Sequence, residues 1–248
     1  MRIAAFSDTH ANAVALEAVI ADLRTQAPDA VVCLGDITMR GPQPGECVDL
    51  VRSLSPSATV RGNYDHLFTR MSRANWQIKS YKHELALRAY EYECERLSAA
   101  DQSWLGNLPT AHRAVWQAVP VELFHAAPDS LSETIWPWAS LDDLGRLRSN
   151  DATRLVLFGH VHHAFVRQAH GFVVVNVGSV GAPFDGDNRA SYAVVDISRG
   201  GIAVQLRRVA YDVERVIQVA RERSMPDVDA LEYGLRHASY PYDRPDRE

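Results

Sequence analysis

Residues 2 to 7, RIAAFS, form a short apolar run that turns polar at once, the pattern of a strand buried on both faces. Behind Asn12, a good helix N-cap, the stretch Ala13 to Leu23 sets Val14, Leu16, Val19, Ile20 and Leu23 near helical spacing. The unit recurs. Ala30 to Leu34 (AVVCL) predicts a second buried strand, GDITMRGP a loop and Glu46 to Leu54 a helix, and a short strand at Ala58 to Val60 then runs into RGNYD. Repeated strand–loop–helix units predict a largely parallel sheet with functional loops at the C-terminal ends of its strands.

The pattern changes over residues 66 to 112, where Trp76, Ile78, Tyr81, Leu85, Leu87, Tyr90 and Leu97 stand among charges at roughly helical intervals. This predicts a helical insertion. VWQAV and VELFH follow as strand-like runs, then a helical stretch from Leu141 to Arg148. RLVLFGH, FVVVNVGS, SYAVVDI and IAVQLRRV come next as strands, several joined by Gly-containing turns, so the second half is more antiparallel. Asp212 to Arg223 and Val228 to His237 close the chain as helices, and YPYDRPDRE is expected to be a frayed tail. With no internal repeat and no low-complexity linker, the expectation is one domain over 1–248, with the insertion at about 66–112 and C-terminal helices at about 212–238.

At 46% hydrophobic and 23% charged residues, the 248-residue chain cannot be disordered, and it is long enough to bury a core without metal or disulfide staples. Any metal is therefore expected to serve chemistry. The net charge is −5, with cations scattered rather than gathered, so a nucleic-acid partner finds no support. Cys33, Cys47 and Cys94 make an odd number with no CxxC spacing, which speaks against a disulfide framework or a thiolate zinc site and for a reducing compartment. The N-terminal apolar run stops at Phe6, and nowhere do 18 apolar residues run uninterrupted. A cytoplasmic protein without a membrane partner is expected; the pattern fixes no oligomeric state.

The chemistry-bearing residues fall just after predicted strands: Asp8 and His10 in DTH, Asp36 in GDITMRGP, Asn63 in GNYD, His125 in FHAAP, and His160 with His162 in GHVH. Singly each has an ordinary reading, as a helix cap, a turn residue or a core histidine. Chance from this composition would give DxH about 0.8 times, GNxD about 0.03, GHxH about 0.02 and GDxxxxGP about 0.003 times. All occur, in order, at strand ends that a parallel sheet gathers into one crevice. Seven N/O ligands without a thiolate suit a pair of divalent ions better than one closed structural zinc, and such a pair clamps the attacking and leaving oxygens of a phosphoryl group. His66, His83, His112, His163, His170 and His237 lack that placement and are read as surface or packing residues.

With these motifs the chain resembles the calcineurin-like metallophosphoesterase superfamily. GDITMRGP, LSAADQSWLGNLP and NVGSVGAP resemble more closely the bacterial and archaeal branch akin to diadenosine tetraphosphatases and Ser/Thr protein phosphatases. The resemblance implies a four-layer α/β/β/α sandwich of two mixed sheets with outer helices. It implies that Asp8, His10 and His162 hold one ion, that Asn63, His125 and His160 hold the other, and that Asp36 bridges them. Manganese, iron and zinc all suit these ligands. A hydroxide shared by the two ions would then attack phosphorus directly. Asp65 is expected to act from behind the ligands. Arg40, four residues after Asp36, matches an arginine that contacts substrate phosphate in the relatives. Tyr64 stands where many members have histidine. A phenol is the weaker general acid, so phosphodiesters, nucleotides and polyphosphate anhydrides are expected to be favoured over alkyl monoesters, with His66 as a substitute acid to weigh. A small phosphorylated substrate follows, a nucleotide among the candidates, with Trp76, Tyr81 and Trp104 as aromatics that either stack a base or simply pack. The rival readings are a non-catalytic metal-binding scaffold and a nuclease.

Overall fold

The computed structural model describes residues 1–69, 76–79 and 81–242. The first half runs β1 (Arg2–Phe6), α1 (Ala13–Thr25), β2 (Ala30–Cys33), α2 (Pro44–Ser53), β3 (Ala58–Thr59), a 3-10 turn (Asp65–Thr69), α3 (Tyr81–Cys94) and α4 (Ala99–Asn107). There follow β4 (Ala111–Trp116), β5 (Val119–Phe124), α5 (Leu141–Gly145), β6 (Leu155–Phe158), β7 (Phe165–Ala169) and β8 (Phe172–Asn176). The chain closes with β9 (Ala190–Ser198), β10 (Gly201–Val209), α6 (Val213–Glu222) and α7 (Val228–His237).

These strands form two mixed five-stranded sheets, ordered β10-β9-β1-β2-β3 and β4-β5-β6-β8-β7. In the first, β1, β2 and β3 run parallel while β9 and β10 are antiparallel; in the second, β5, β6 and β8 run parallel with β4 and β7 antiparallel at the edges. The β1 run is apolar on both sides because both sides are covered. Ile3 and Ala5 face Leu123, Leu155 and Val175 of the other sheet, and Ala4 and Phe6 face Leu16 and Val19 of α1. Asn12 caps α1 as its sequence suggested, its side-chain oxygen accepting from the Ala15 N–H at 3.0 Å. On the far face of the second sheet Phe158, Val174 and Phe172 pack on Leu144 and Leu147. The arrangement is the expected helix–sheet–sheet–helix sandwich.

Several local expectations are corrected. VWQAV is not one strand but the end of β4, a turn at Gln117 and Ala118 with φ of 50° and 65°, and the start of β5. β7 has no counterpart in the reading of the sequence, because its alternation Phe-Val-Arg-Gln-Ala is that of an edge strand with only its end residues buried. The helical character of 66–112 ends at Asn107, and Ala111 already belongs to β4; the helix expected to reach Arg148 stops at Gly145. The tail is not frayed at its start: Tyr240 and Tyr242 pack onto the body of the protein, while 243–248 lie outside the described residues. The three cysteines are free, and among the described residues no helix is long and apolar enough to cross a membrane.

Candidate metal centre

The parallel strands deliver the motif residues to one edge of the sandwich. β1 ends into Asp8 and His10, β2 into Asp36, β3 into Asn63, β5 into His125, and β6 into His160 and His162. Asp8, His10, Asp36, His160 and His162 all lie at positive φ, between 46° and 70°. Left-handed backbone at non-glycine residues costs about 1–3 kcal/mol each and persists only where surroundings over-determine it. Here the surroundings do. Asp8 N–H donates to Gly35 O at 2.9 Å, His10 N–H to Asp36 O at 3.1 Å, and Gly181 N–H to Asp8 O at 2.9 Å. Gly62 and Gly159 meet a different need, close approach: a Cβ at Gly62 would overlap the Asp36 carboxylate, and one at Gly159 the Asp8 carboxylate.

The imidazoles are aimed by their backs. His10 Nδ1 lies 3.1 Å from Met39 O and His125 Nδ1 2.8 Å from Leu34 O, and His162 Nδ1 contacts Ala182 O. A carbonyl only accepts, so each Nδ1 carries the proton and each Nε2 presents a lone pair inward. His10 Nε2 and His162 Nε2 then face each other at 3.0 Å, two lone pairs that require a cation or a proton between them. Asp8 Oδ1 lies 3.2 Å from His162 Nε2, 3.6 Å from His10 Nε2 and 4.0 Å from His125 Nε2, and is buried without a hydrogen-bond partner. Asp36 Oδ2 lies 3.4 Å from His125 Nε2 and 3.9 Å from His10 Nε2, while Asn63 Oδ1 is 3.0 Å from His125 Nε2. Two sets with metal-ligand spacing result, Asp8–His10–His162 and Asp8–Asp36–His125, so Asp8 is the carboxylate common to both. The His160 ring is outside both sets, edge-on to His125 at 5.1 Å, and its N–H donates to Asp8 Oδ2 at 3.0 Å. An orphaned buried carboxylate oxygen and facing lone pairs fit divalent cations.

The electrostatics say the same. Burial alone would raise Asp8 and Asp36, yet the histidines around them hold both below the usual carboxylate range. Burial alone would lower His125, but Asp36 and Asp8 push it up to about 10, so this corner demands positive charge. Burial and the neighbouring His125 bring His160 down to about 4, and burial lowers His10, which keeps both imidazoles neutral and able to ligate.

Asp65 faces away from the ligand atoms. Its carboxylate accepts from the N–H groups of Asp36 at 2.8 Å, Ile37 at 3.0 Å and Gly62 at 2.9 Å, clamping two motif loops together, and burial beside Asp36 raises it to about 7. Tyr64 donates its backbone N–H to Asp36 Oδ1 at 2.8 Å and turns its ring edge-on to His10 at 5.5 Å. Arg40, at φ 73°, sits among the rings of Tyr64, Phe184, Tyr240 and Tyr242 at 5.5 to 5.9 Å, and no carboxylate pairs with it among the described residues. Arg40, Tyr64, Asn63, Asp36, His160 and His162 line one cavity of about 780 Å³.

That cavity also contains residues the sequence did not single out: Trp136, Trp138, His163, Phe184, Tyr233 and Tyr240. His163, expected to be a surface or packing residue, belongs to its wall, and Phe184 stacks on the His162 ring at 4.3 Å. The one available signal was proximity, since Trp136 and Trp138 follow His125 closely in the chain and His163 follows GHVH. The aromatics that were singled out lie elsewhere. Trp104 packs against the α1–α2 core with Arg52 over its ring at 4.6 Å, Trp76 touches Tyr90, and the side chain of Tyr81 lies outside the described residues. His66 is exposed in a separate groove beside Arg61 and Phe68, so it does not replace the acid that Tyr64 lacks.

The chain is similar to known proteins over nearly its whole length. The chain is 27% identical over 240 residues to an uncharacterized protein of Methanocaldococcus jannaschii, covering 91% of this chain and 94% of that one. A crystal structure of a metallophosphoesterase from Sphaerobacter thermophilus superposes with a TM-score of 0.72 at 29% identity, covering 96% of this chain and 100% of that one. A hypothetical protein of Pyrococcus horikoshii superposes with a TM-score of 0.84 at 18% identity, covering 96% and 98%. Residues 1–200 match the calcineurin-like phosphoesterase superfamily domain, which takes in every motif residue from Asp8 to His162. The chain belongs to the calcineurin-like phosphoesterase superfamily, whose members are metal-dependent phosphoester hydrolases.

Proposed function

We propose that the protein is a dinuclear phosphoesterase in which Asp8, His10 and His162 hold one divalent ion and Asn63, His125 and His160 the other, with Asp36 and Asp8 between them. The observation that carries this reading is the pair of opposed Nε2 lone pairs of His10 and His162 beside the unpartnered Asp8 Oδ1. When bound, divalent ions supply Lewis-acid activation of the phosphoryl group and of water. The protein's own part is to hold ligands rigidly and to receive the substrate. Arg40 offers its guanidinium to phosphate oxygens, with aromatic rings fixing its position. The Tyr64 ring borders the same cavity, and its phenol donates a hydrogen bond without serving as a strong acid, which favours phosphodiesters, nucleotides and polyphosphate anhydrides over alkyl monoesters.

The test is metal analysis together with hydrolysis of bis-p-nitrophenyl phosphate after reconstitution with manganese, iron or zinc. Close to two ions per chain and chelator-sensitive turnover are expected. A metal content near zero after reconstitution overturns the reading, and two ions without turnover on any phosphoester would favour the scaffold.

A further inference from the structure

The loop that leaves β5 after His125 carries two tryptophans that neither the core nor the proposed metal centre accounts for. Trp136 and Trp138 stack with ring centroids 5.4 Å apart and planes within 4° of parallel, and the His163 ring stands perpendicular to both, at 5.2 and 6.3 Å. Trp138 is 72% exposed and Trp136 38%. Both border the cavity that holds Asp36, His160 and His162, so a molecule bound at the ligands reaches them without leaving it. Two indoles exposed side by side give up hydrophobic burial, and their mutual stacking makes a flat platform at little cost in conformational entropy.

Resting on the phosphoesterase reading, we propose that Trp138, backed by Trp136 and braced by His163, is a base-stacking subsite that selects nucleotide phosphoesters. A π-face needs no hydrogen-bond partner to be recognised, whereas a sugar ring laid on the same surface would need groups for its hydroxyls. Among the described residues lining the cavity, Asp36 is the one carboxylate, and it lies among the metal-facing residues, against the His125 ring. A nucleic-acid strand is a poorer match. Arg40 is the single Lys or Arg among the described residues lining the cavity, and a strand requires a basic track along its backbone. One base on the tryptophans and one phosphoryl group at the ligands, with Arg40 beside it, complete the site.

The experiment compares p-nitrophenyl thymidine 5′-phosphate with the p-nitrophenyl ester of abasic 1,2-dideoxyribose 5-phosphate, which share a leaving group and a sugar and differ in the base, using the manganese-reconstituted protein. Stacking is typically worth about 1–3 kcal/mol per base, so Trp138→Ala should lower the ratio of kcat/KM between the two esters roughly 5- to 150-fold, and Trp138→Phe should restore most of it. Trp138 is exposed, so its replacement leaves the core intact. In parallel, AMP is titrated against intrinsic fluorescence without turnover: quenching is expected in the wild type and its loss in Trp138→Ala. An unchanged ester ratio, or quenching that persists in Trp138→Ala, overturns the subsite while leaving the phosphoesterase reading standing. If neither ester is hydrolysed, the phosphoesterase reading is what fails, and the AMP titration alone then decides the subsite.

Discussion

At the floor of the cavity, Asp8, His10, Asp36 and His125 are each at most 2% exposed and are fixed by bonds to the main chain of neighbouring strand ends. On the outer wall, Trp138 is 72% exposed, and Arg40 is held by the faces of four rings rather than by a carboxylate. The floor leaves little room for change, because Asp8, His10 and Asp36 are placed by a strained backbone that other strands hold in shape. The wall is assembled from loops and the C-terminal segment, where one residue can change without moving its neighbours. The proposed function thus places chemistry on the rigid part and selectivity on the adaptable one.

The sharpest break between the two comes from the carboxylates. Asp8→Asn or Asp36→Asn should cost more than the roughly 10- to 100-fold typical of groups that merely support a metal ligand, and more than His10→Ala, because Asp8 is common to both sets of donors and Asp36 Oδ2 lies within 3.9 Å of both His10 and His125. Metal content and kcat measured together check it, and wild-type turnover with full metal content in either variant would place the centre elsewhere. Arg40→Ala should act on the wall alone: KM rises roughly 10- to 100-fold, the range for a charge-assisted hydrogen bond of about 1.5–3 kcal/mol, with the metal content unchanged. Loss of metal in that variant would show that wall and floor are one unit.

Tyr64 sits on the seam, its main chain tied to Asp36 and its ring under Arg40. General acid catalysis is typically worth 10²- to 10⁴-fold, and a grafted histidine should recover a part of it, so Tyr64→His should raise the alkyl monoester rate against the aryl diester rate about tenfold. Matched kcat/KM values decide it, and an unchanged ratio removes Tyr64 from leaving-group choice. The smallest effect concerns stability. Glu93, fully buried on α3, faces Thr38 and the Met39 backbone without a well-formed hydrogen bond, behind the loop joining Asp36 to Arg40. Burial raises it from the usual 4.5 to about 8. A carboxyl raised on folding stabilises the protein fully below its unfolded pKa, and that stability is lost as pH rises through the folded one. The wild-type melting temperature should therefore fall between about pH 5 and pH 8 relative to Glu93→Gln. Parallel melting curves for the two proteins across that range would exclude it.

Legibility in the sequence followed the same division. Asp8, Asp36, Asn63, His125 and His160 each sit one or a few residues beyond a short apolar run, so strand pattern and ligand chemistry pointed to the same positions. Asp65 was read as a helper, but that it would grip three backbone N–H groups from two loops needed the fold. Trp136 and Trp138 carry no signal in the sequence because a loop has no period, His163 lacks a strand-end motif of its own, and Tyr240 falls in a polar, Pro-containing end of the kind that usually frays. Conversely, Trp76 and Trp104 drew attention as aromatics among charges, and the fold uses both for packing.

The sequence by itself determined the strands buried on both faces, the order of the motifs and the donor types, because such burial and ligand chemistry act locally on a few consecutive residues. Only the tertiary structure decided which lone pairs oppose each other, that Asp8 is common to both donor sets, and which aromatics surround Arg40. Those relations join residues separated by up to about two hundred positions, His10 with His162 and Arg40 with Tyr240. Distances of that kind are set by how two sheets and a C-terminal helix pack, and no local pattern encodes them.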